Sequence, residues 1–182
     1  MNGRMEAIRD ALLRQWDKWK RRFARVEANP GPLPPPPEGA REVLFICTGN
    51  FYRSRFAEAI FNHHAIEADL PWRAFSRGVA VHLAPSDLSP YTRAALEARE
   101  IDPRLTAPTR LRLEEEDLQR AARRIALKQS EHEAYIKKHF PSWESRIEYW
   151  HIDDIDVAPP DEALPKLEQT VLKLLREVQR EG

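Results

Sequence analysis

The chain has 182 residues, with 29 basic side chains balanced by 29 acidic ones and a hydrophobic fraction of 42%. That length suits one domain with a segment to spare, and the composition is globular rather than disordered. Balanced charge leaves no overall nucleic-acid footprint, no apolar run nears the roughly 20 residues of a membrane span, and the first thirty residues lack a signal peptide's apolar block. The one cysteine, Cys47, excludes an internal disulfide and points to the cytoplasm.

Residues 4–28 contain no helix breaker. Met5, Ile8, Leu12, Trp16, Trp19, Phe23 and Val26 fall on one narrow stripe at helical spacing, so residues 1–28 read as an N-terminal amphipathic helix. The narrow stripe suits packing on its own domain or pairing with a second copy, which makes a homodimer through this helix an expectation. Its eight basic residues against four acidic ones leave contact with an anionic membrane a weaker option. Residues 29–39, NPGPLPPPPEG, favour polyproline II and read as a stiff linker, with an SH3-type ligand as the sharper alternative.

From residue 40 to 182, strand and helix patterns alternate. Glu42–Cys47 is a short apolar run, typical of a strand buried on both faces. Arg53–Ala65 reads as a helix with Phe56, Ala57, Ile60, Phe61 and His64 on one side. Trp72–Gly78 is a second strand, and Pro90–Glu100 a helix capped by Ser89. Arg124–Leu127 is a third strand, Glu131–His139 a helix stopped by Pro141, and Ile147–Trp150 a fourth strand. Leu164, Leu167, Val171, Leu174, Leu175 and Val178 mark a last amphipathic helix. This alternation predicts an α/β domain: an open four-stranded parallel sheet, flavodoxin-like, with helices on both faces and a ligand site at the carboxyl ends of the strands.

The first strand ends on Cys47, and a helix begins near Arg53. Between them run Thr48, Gly49, Asn50, Phe51 and Tyr52. A loop of this length can curl its amides around a tetrahedral oxyanion at a helix N-terminus. Gly49 and Asn50 tolerate left-handed dihedrals. Arg53 can fork two hydrogen bonds onto two oxygens, and amides, helix end and guanidinium all favour thiolate over thiol. Ser54 can donate to that sulfur. The bland alternative is a small buried cysteine ending a strand, with Ser54 a helix cap.

The stretch Val43–Phe61, VLFICTGNFYRSRFAEAIF, resembles the opening of low-molecular-weight protein tyrosine phosphatases and their arsenate-reductase relatives, and the order of elements agrees from residue 41 to about 180. The resemblance implies a phosphomonoester hydrolase, protein-tyrosine-phosphate-like, without cofactor or metal. In it Cys47 attacks phosphorus to give a cysteinyl-phosphate, while Arg53 and the loop amides hold the transferring group. Asn50 and Ser54 then shape the loop, and Ser76 hydrogen-bonds to it. A general acid is expected after the fourth strand. Counting from Trp150 gives Asp154, with Asp153 and Asp156 as rivals.

The chain also departs from that pattern. Tyr52 stands where many members carry a second cysteine, so no neighbouring thiol rescues an oxidised Cys47. Phe51 stands where arginine-phosphate phosphatases carry threonine. Ala107 replaces a histidine, Lys128-Gln129 replaces Met-Asp, and Ile155 replaces a proline after the acid. The implied partner is a phosphorylated protein or a small phosphomonoester.

Two other readings stay open. Asp154-Ile155-Asp156-Val157 after an apolar strand mimics the aspartyl motif of magnesium-dependent haloacid-dehalogenase phosphatases, although it lies near the wrong end of the fold. A non-catalytic module that only binds phosphate would keep the loop and lack the acid. The six histidines, 63, 64, 82, 132, 139 and 151, show no metal spacing in sequence.

Overall fold

The computed structural model describes residues 33–84 and 87–181. The helix expected over 1–28 and the first part of the proline-rich stretch lie outside these residues. Residues 33–39 contain neither helix nor strand, as six prolines in eleven positions dictate.

Four parallel strands form one sheet: β1 (Arg41–Cys47), β2 (Trp72–Gly78), β3 (Arg123–Ala126) and β4 (Glu148–Tyr149), in the order β2-β1-β3-β4. Among the described residues the helices are α1 (Arg53–Glu67), α2 (Pro90–Glu97), α3 (Glu115–Arg120), α4 (Gln129–His139) and α5 (Pro160–Gln179), with 3₁₀ turns at Val81–Leu83, Pro103–Leu105 and Pro141–Arg146. The chain reverses direction beside β1, so the carboxyl end of β1 faces a crevice between outgoing connections.

β1 shows why its residues are apolar without alternation. Val43, Phe45 and Cys47 face a layer that includes Phe56, Ile60 and Phe61 of α1 and Leu167 and Val171 of α5. Leu44 and Ile46 face the opposite layer with Leu118 of α3 and Ile136 of α4. Each large side chain buried this way contributes about 1.5–3 kcal/mol. A strand between two helical layers has no polar face.

Some expectations shift. α2 ends at Glu97 rather than Glu100. Glu100 turns left-handed (φ 59), and the Ile101 amide closes back on the Leu96 carbonyl at 3.0 Å, a Schellman-type stop made without glycine. Ser89 stands at the N-cap, but its hydroxyl is buried and makes no cap hydrogen bond. α3 was not anticipated: six residues are too few for a helical period. The larger surprise is α1, which is buried on nearly every side. Arg55, Glu58 and Asn62 on its polar face are covered by the chain around Pro103–Thr109, while His64 is half-exposed rather than in the core. Asn62 is satisfied there by the Ala74 amide (2.7 Å) and the Ala74 and Leu105 carbonyls (3.0 and 2.9 Å), so burying it costs little.

Candidate active site

The turn from β1 into α1 carries the expected loop. Cys47 Sγ lies 2.9 Å from Ser54 Oγ. Of Gly49 and Asn50, only Asn50 uses the left-handed region (φ 49). That conformation turns its buried side chain inward, where Nδ2 donates to Ser54 Oγ (3.2 Å) and Ser76 Oγ (2.8 Å) and Oδ1 accepts from the Leu111 amide (2.8 Å). Ser76 donates onward to Glu58 Oε2 at 2.6 Å. The loop is therefore pinned to β2 and α1 by a continuous chain of hydrogen bonds, Ser54–Asn50–Ser76–Glu58. The first-turn amides of α1 have no partner within the helix and are free to face an anion.

Glu58 anchors that chain from deep in the core. Thr106 also donates to Oε2 (2.6 Å), and Arg55 Nε donates to Thr106 Oγ1 (2.5 Å). Arg55 further donates to the carbonyls of Asp87, Ala107 and Thr109. Burial pushes the Glu58 carboxyl above its ordinary range, against the pull of Ser76, Thr106 and Arg55. None of these partners was visible in the sequence, where Arg55 and Glu58 look like solvent-facing helix residues. Ala107, the position noted for its missing histidine, contributes only backbone.

Arg53 is fully buried beneath the loop. Glu131 grips both of its terminal nitrogens, at 3.1 Å from Nη1 and 2.6 Å from Nη2, and the Ile152 carbonyl takes Nη1 at 2.9 Å. Asp154 Oδ2 lies 2.5 Å from Nη2. Burial works against the charge on Arg53, but the carboxylates outweigh it and raise its pKa. Burial likewise opposes ionisation of Glu131, and the Arg53 contact overcomes it, holding that carboxyl below the usual range.

Of the three candidate acids, only Asp154 joins this cluster. Asp153 pairs with Lys128, which holds its carboxyl low, and Asp156 is exposed. Tyr52 is buried at the start of α1; burial and the nearby Asp154 push its phenol up to about 12, so it stays neutral.

His132 was also missed. It is fully buried, and burial with the nearby Arg53 charge pushes its pKa down to about 4. The Lys128 amide donates to Nδ1 (3.1 Å), which leaves the proton of this neutral ring on Nε2, 3.3 Å from Thr48 Oγ1.

These residues open on a cavity of about 320 Å³ lined by Cys47, Thr48, Gly49, Phe51, Tyr52, Arg53, Leu83, Ala84, Asp154 and Ile155. Cys47 and Arg53 are its most deeply buried lining residues, and Phe51, Leu83 and Ile155 supply apolar wall. Away from this site, His63 Nε2 and His64 Nδ1 both bond Glu67 (3.3 and 3.2 Å) at the far end of α1, and the donor atoms of the three lie within 4.8 Å of one another. The three share the last turns of one helix, a local histidine–carboxylate cluster that the count of histidines alone passed over.

The model of the family described as low molecular weight phosphotyrosine protein phosphatase matches residues 42–182. Among solved structures, a low molecular weight protein tyrosine phosphatase from T. tengcongensis is 27% identical with a TM-score of 0.63, over 78% of this chain and 99% of that one. YfkJ from Bacillus subtilis is 21% identical with a TM-score of 0.69, over 79% and 98%. A YwlE arginine phosphatase, in a cysteine-to-serine mutant with a phosphorylated active-site serine, is 21% identical with a TM-score of 0.62, over 76% and 95%. No curated protein matches. No helix among the described residues is long and apolar enough to cross a membrane. The chain belongs to the low molecular weight phosphotyrosine protein phosphatase family, enzymes that hydrolyse phosphomonoesters through a cysteine nucleophile.

Proposed function

We propose that residues 40–182 are the catalytic domain and that Cys47, Arg53 and Asp154 perform phosphomonoester hydrolysis on a phosphorylated protein. The observation that carries this reading is that one small cavity holds the Cys47 thiol, the Arg53 guanidinium and the Asp154 carboxyl, brought together from two separate loops.

The thiolate of Cys47 attacks phosphorus, a sulfur–phosphorus bond forms, and the bond to the leaving oxygen breaks. Asp154 gives that oxygen its proton, so no strongly basic phenoxide or alkoxide is expelled. Arg53 and the loop amides, from Thr48, Gly49, Asn50, Phe51 and Tyr52 onward, carry the charge spread over the equatorial oxygens. In the second half Asp154, now a carboxylate, takes a proton from water as that water attacks the phosphocysteine. The sulfur–phosphorus bond then breaks, and Ser54 donates to the departing thiolate. Ser76 acts through Asn50 by fixing the loop.

The apolar wall of Phe51, Leu83 and Ile155 suits an aromatic leaving group such as the tyrosine ring of a phosphopeptide. A lone cysteine without a thiol neighbour belongs in a reducing compartment, which supports a cytoplasmic location. The N-terminal segment, with its single apolar stripe, would pair with a second copy of the chain.

Trapping tests the mechanism. Rapid acid quench during turnover of p-nitrophenyl phosphate should yield protein carrying one phosphoryl group on Cys47. Turnover with no phosphocysteine would reject the covalent route.

A further inference from the structure

A guanidinium presents two edges that can each hold a pair of oxygens: an end edge from Nη1 and Nη2, and a side edge from Nε and Nη2. In Arg53 these edges are used differently. Glu131 occupies the end edge with both carboxylate oxygens. The Ile152 carbonyl takes the remaining bond of Nη1. On the side edge, Asp154 reaches Nη2, while Nε is buried and has no partner among the described residues. A buried donor left unsatisfied is costly, so this edge is made for an acceptor that arrives from outside.

We infer that Glu131 is a positioning residue for phosphoryl transfer: it holds the end edge of Arg53 so that the side edge, Nε with Nη2, faces the transferring phosphoryl group. The inference rests on the phosphatase reading above and adds a residue to it. Glu131 is well placed to hold still. It sits in the first turn of α4, where the helix dipole favours a carboxylate, and Thr48 Oγ1 of the loop donates to its Oε2 at 3.2 Å. It therefore ties the loop, the arginine and α4 together. The substrate oxygens then take Nε and displace Asp154 from Nη2. That exchange parts Asp154 from the cation, so its carboxylate can take the proton carried in by a phosphate monoanion and pass it to the leaving oxygen.

A negative charge so close to a phosphate site has an opposite reading, in which Glu131 simply competes with the substrate for Arg53. The two differ in sign. Glu131→Gln keeps the shape but sets an NH₂ against one of the Nη groups. If Glu131 positions Arg53, kcat for p-nitrophenyl phosphate should fall about 10- to 100-fold, the scale of a misaligned catalytic group. Inhibition by inorganic phosphate should weaken. Glu131→Asp, which keeps the charge at shorter reach, should retain more activity than Glu131→Gln, an order that a loss of packing alone would not produce.

A second measurement needs no turnover. Alkylation of Cys47 by anionic iodoacetate, relative to neutral iodoacetamide, reads how Arg53 meets an anion. The unaltered chain should prefer iodoacetate, and Glu131→Gln should lose most of that preference. Unchanged or raised kcat, tighter phosphate inhibition, or a stronger iodoacetate preference in Glu131→Gln would overturn the proposal and make Glu131 a competing anion. If the unaltered chain does not hydrolyse p-nitrophenyl phosphate at all, the phosphatase reading fails, and the alkylation ratio still decides whether Glu131 aligns Arg53.

Discussion

Asp154 rests on Arg53, with Oδ2 2.5 Å from Nη2, so the proposed proton donor and the proposed phosphoryl holder are in contact before substrate arrives. The other Asp154 oxygen accepts from the Ile155 amide at 2.8 Å. The acid loop is thus docked without the proline that commonly follows the acid.

Asp154→Asn should hurt most when the leaving oxygen is most basic. Loss of a general acid typically costs about 10²–10⁴ in rate, and we expect that range on phenyl phosphate. On p-nitrophenyl phosphate, whose leaving group needs little help, the loss should be far smaller. Steady-state rates on the two substrates check this. Asp153→Asn, which only breaks the pair with Lys128, should show no such dependence. Equal losses on both substrates in Asp154→Asn would remove Asp154 from the acid role.

Cys47→Ser should abolish turnover and keep the fold, because the hydroxyl is nearly isosteric but stays protonated at neutral pH. Arg53→Lys should fail almost as badly, since an ammonium cannot serve Glu131 and a phosphoryl group at once through fixed edges. Circular dichroism beside the rate measurement separates lost chemistry from lost folding.

Gly78→Ala should cripple the site from outside it. A Cβ there would lie 2.7 Å from the Asn50 amide nitrogen, 2.9 Å from Asn50 Cβ and 2.8 Å from Val81 Cγ1. Backbone cannot yield cheaply, so the loop must shift. We expect about 1–3 kcal/mol of destabilisation and a fall in kcat/KM on the order of 10². Activity within twofold of the unaltered chain would show that the loop tolerates the displacement.

His132 makes a pH prediction. Its folded pKa, about 4, lies below the ordinary 6.5, so between these values the unfolded chain binds the extra proton. Stability should therefore fall as the pH drops from 6.5 towards 4, by about 3 kcal/mol in all, and not change further from this group below that. Glu131, with its carboxyl held low, adds its own loss only below about 4.5. Urea melts at pH 7 and pH 5 should show a smaller difference in His132→Asn than in the unaltered chain. An identical difference would mean that His132 is not the responsible group.

The sheet was legible because β1 and α5 carry patterns local to themselves: a double-faced apolar run, and six apolar residues at helical spacing that are all buried in α5. Cys47 and Arg53 were legible because five residues separate them across one turn. Glu131 was not, since it lies 78 residues from Arg53 and looks like an ordinary solvated charge in the first turn of a helix. Glu58 and Arg55 failed for a related reason. Their face of α1 is polar, and only the arrival of the chain around Thr106, some 50 residues later, turns it into interior. Local periodicity reports the first layer of burial and is silent about a loop laid over it.

The depth of Arg53 bears on how the chain assembles. Its partners Glu131, Ile152 and Asp154 lie 78, 99 and 101 residues further along. Until β3 and β4 bring them in, a guanidinium held beneath the loop would be an uncompensated buried charge costing several kcal/mol. Half a sheet, β1 with β2 and α1, therefore cannot close over it. The same cation that would grip phosphate makes partial folding unfavourable and ties completion of the first half of the domain to arrival of the second.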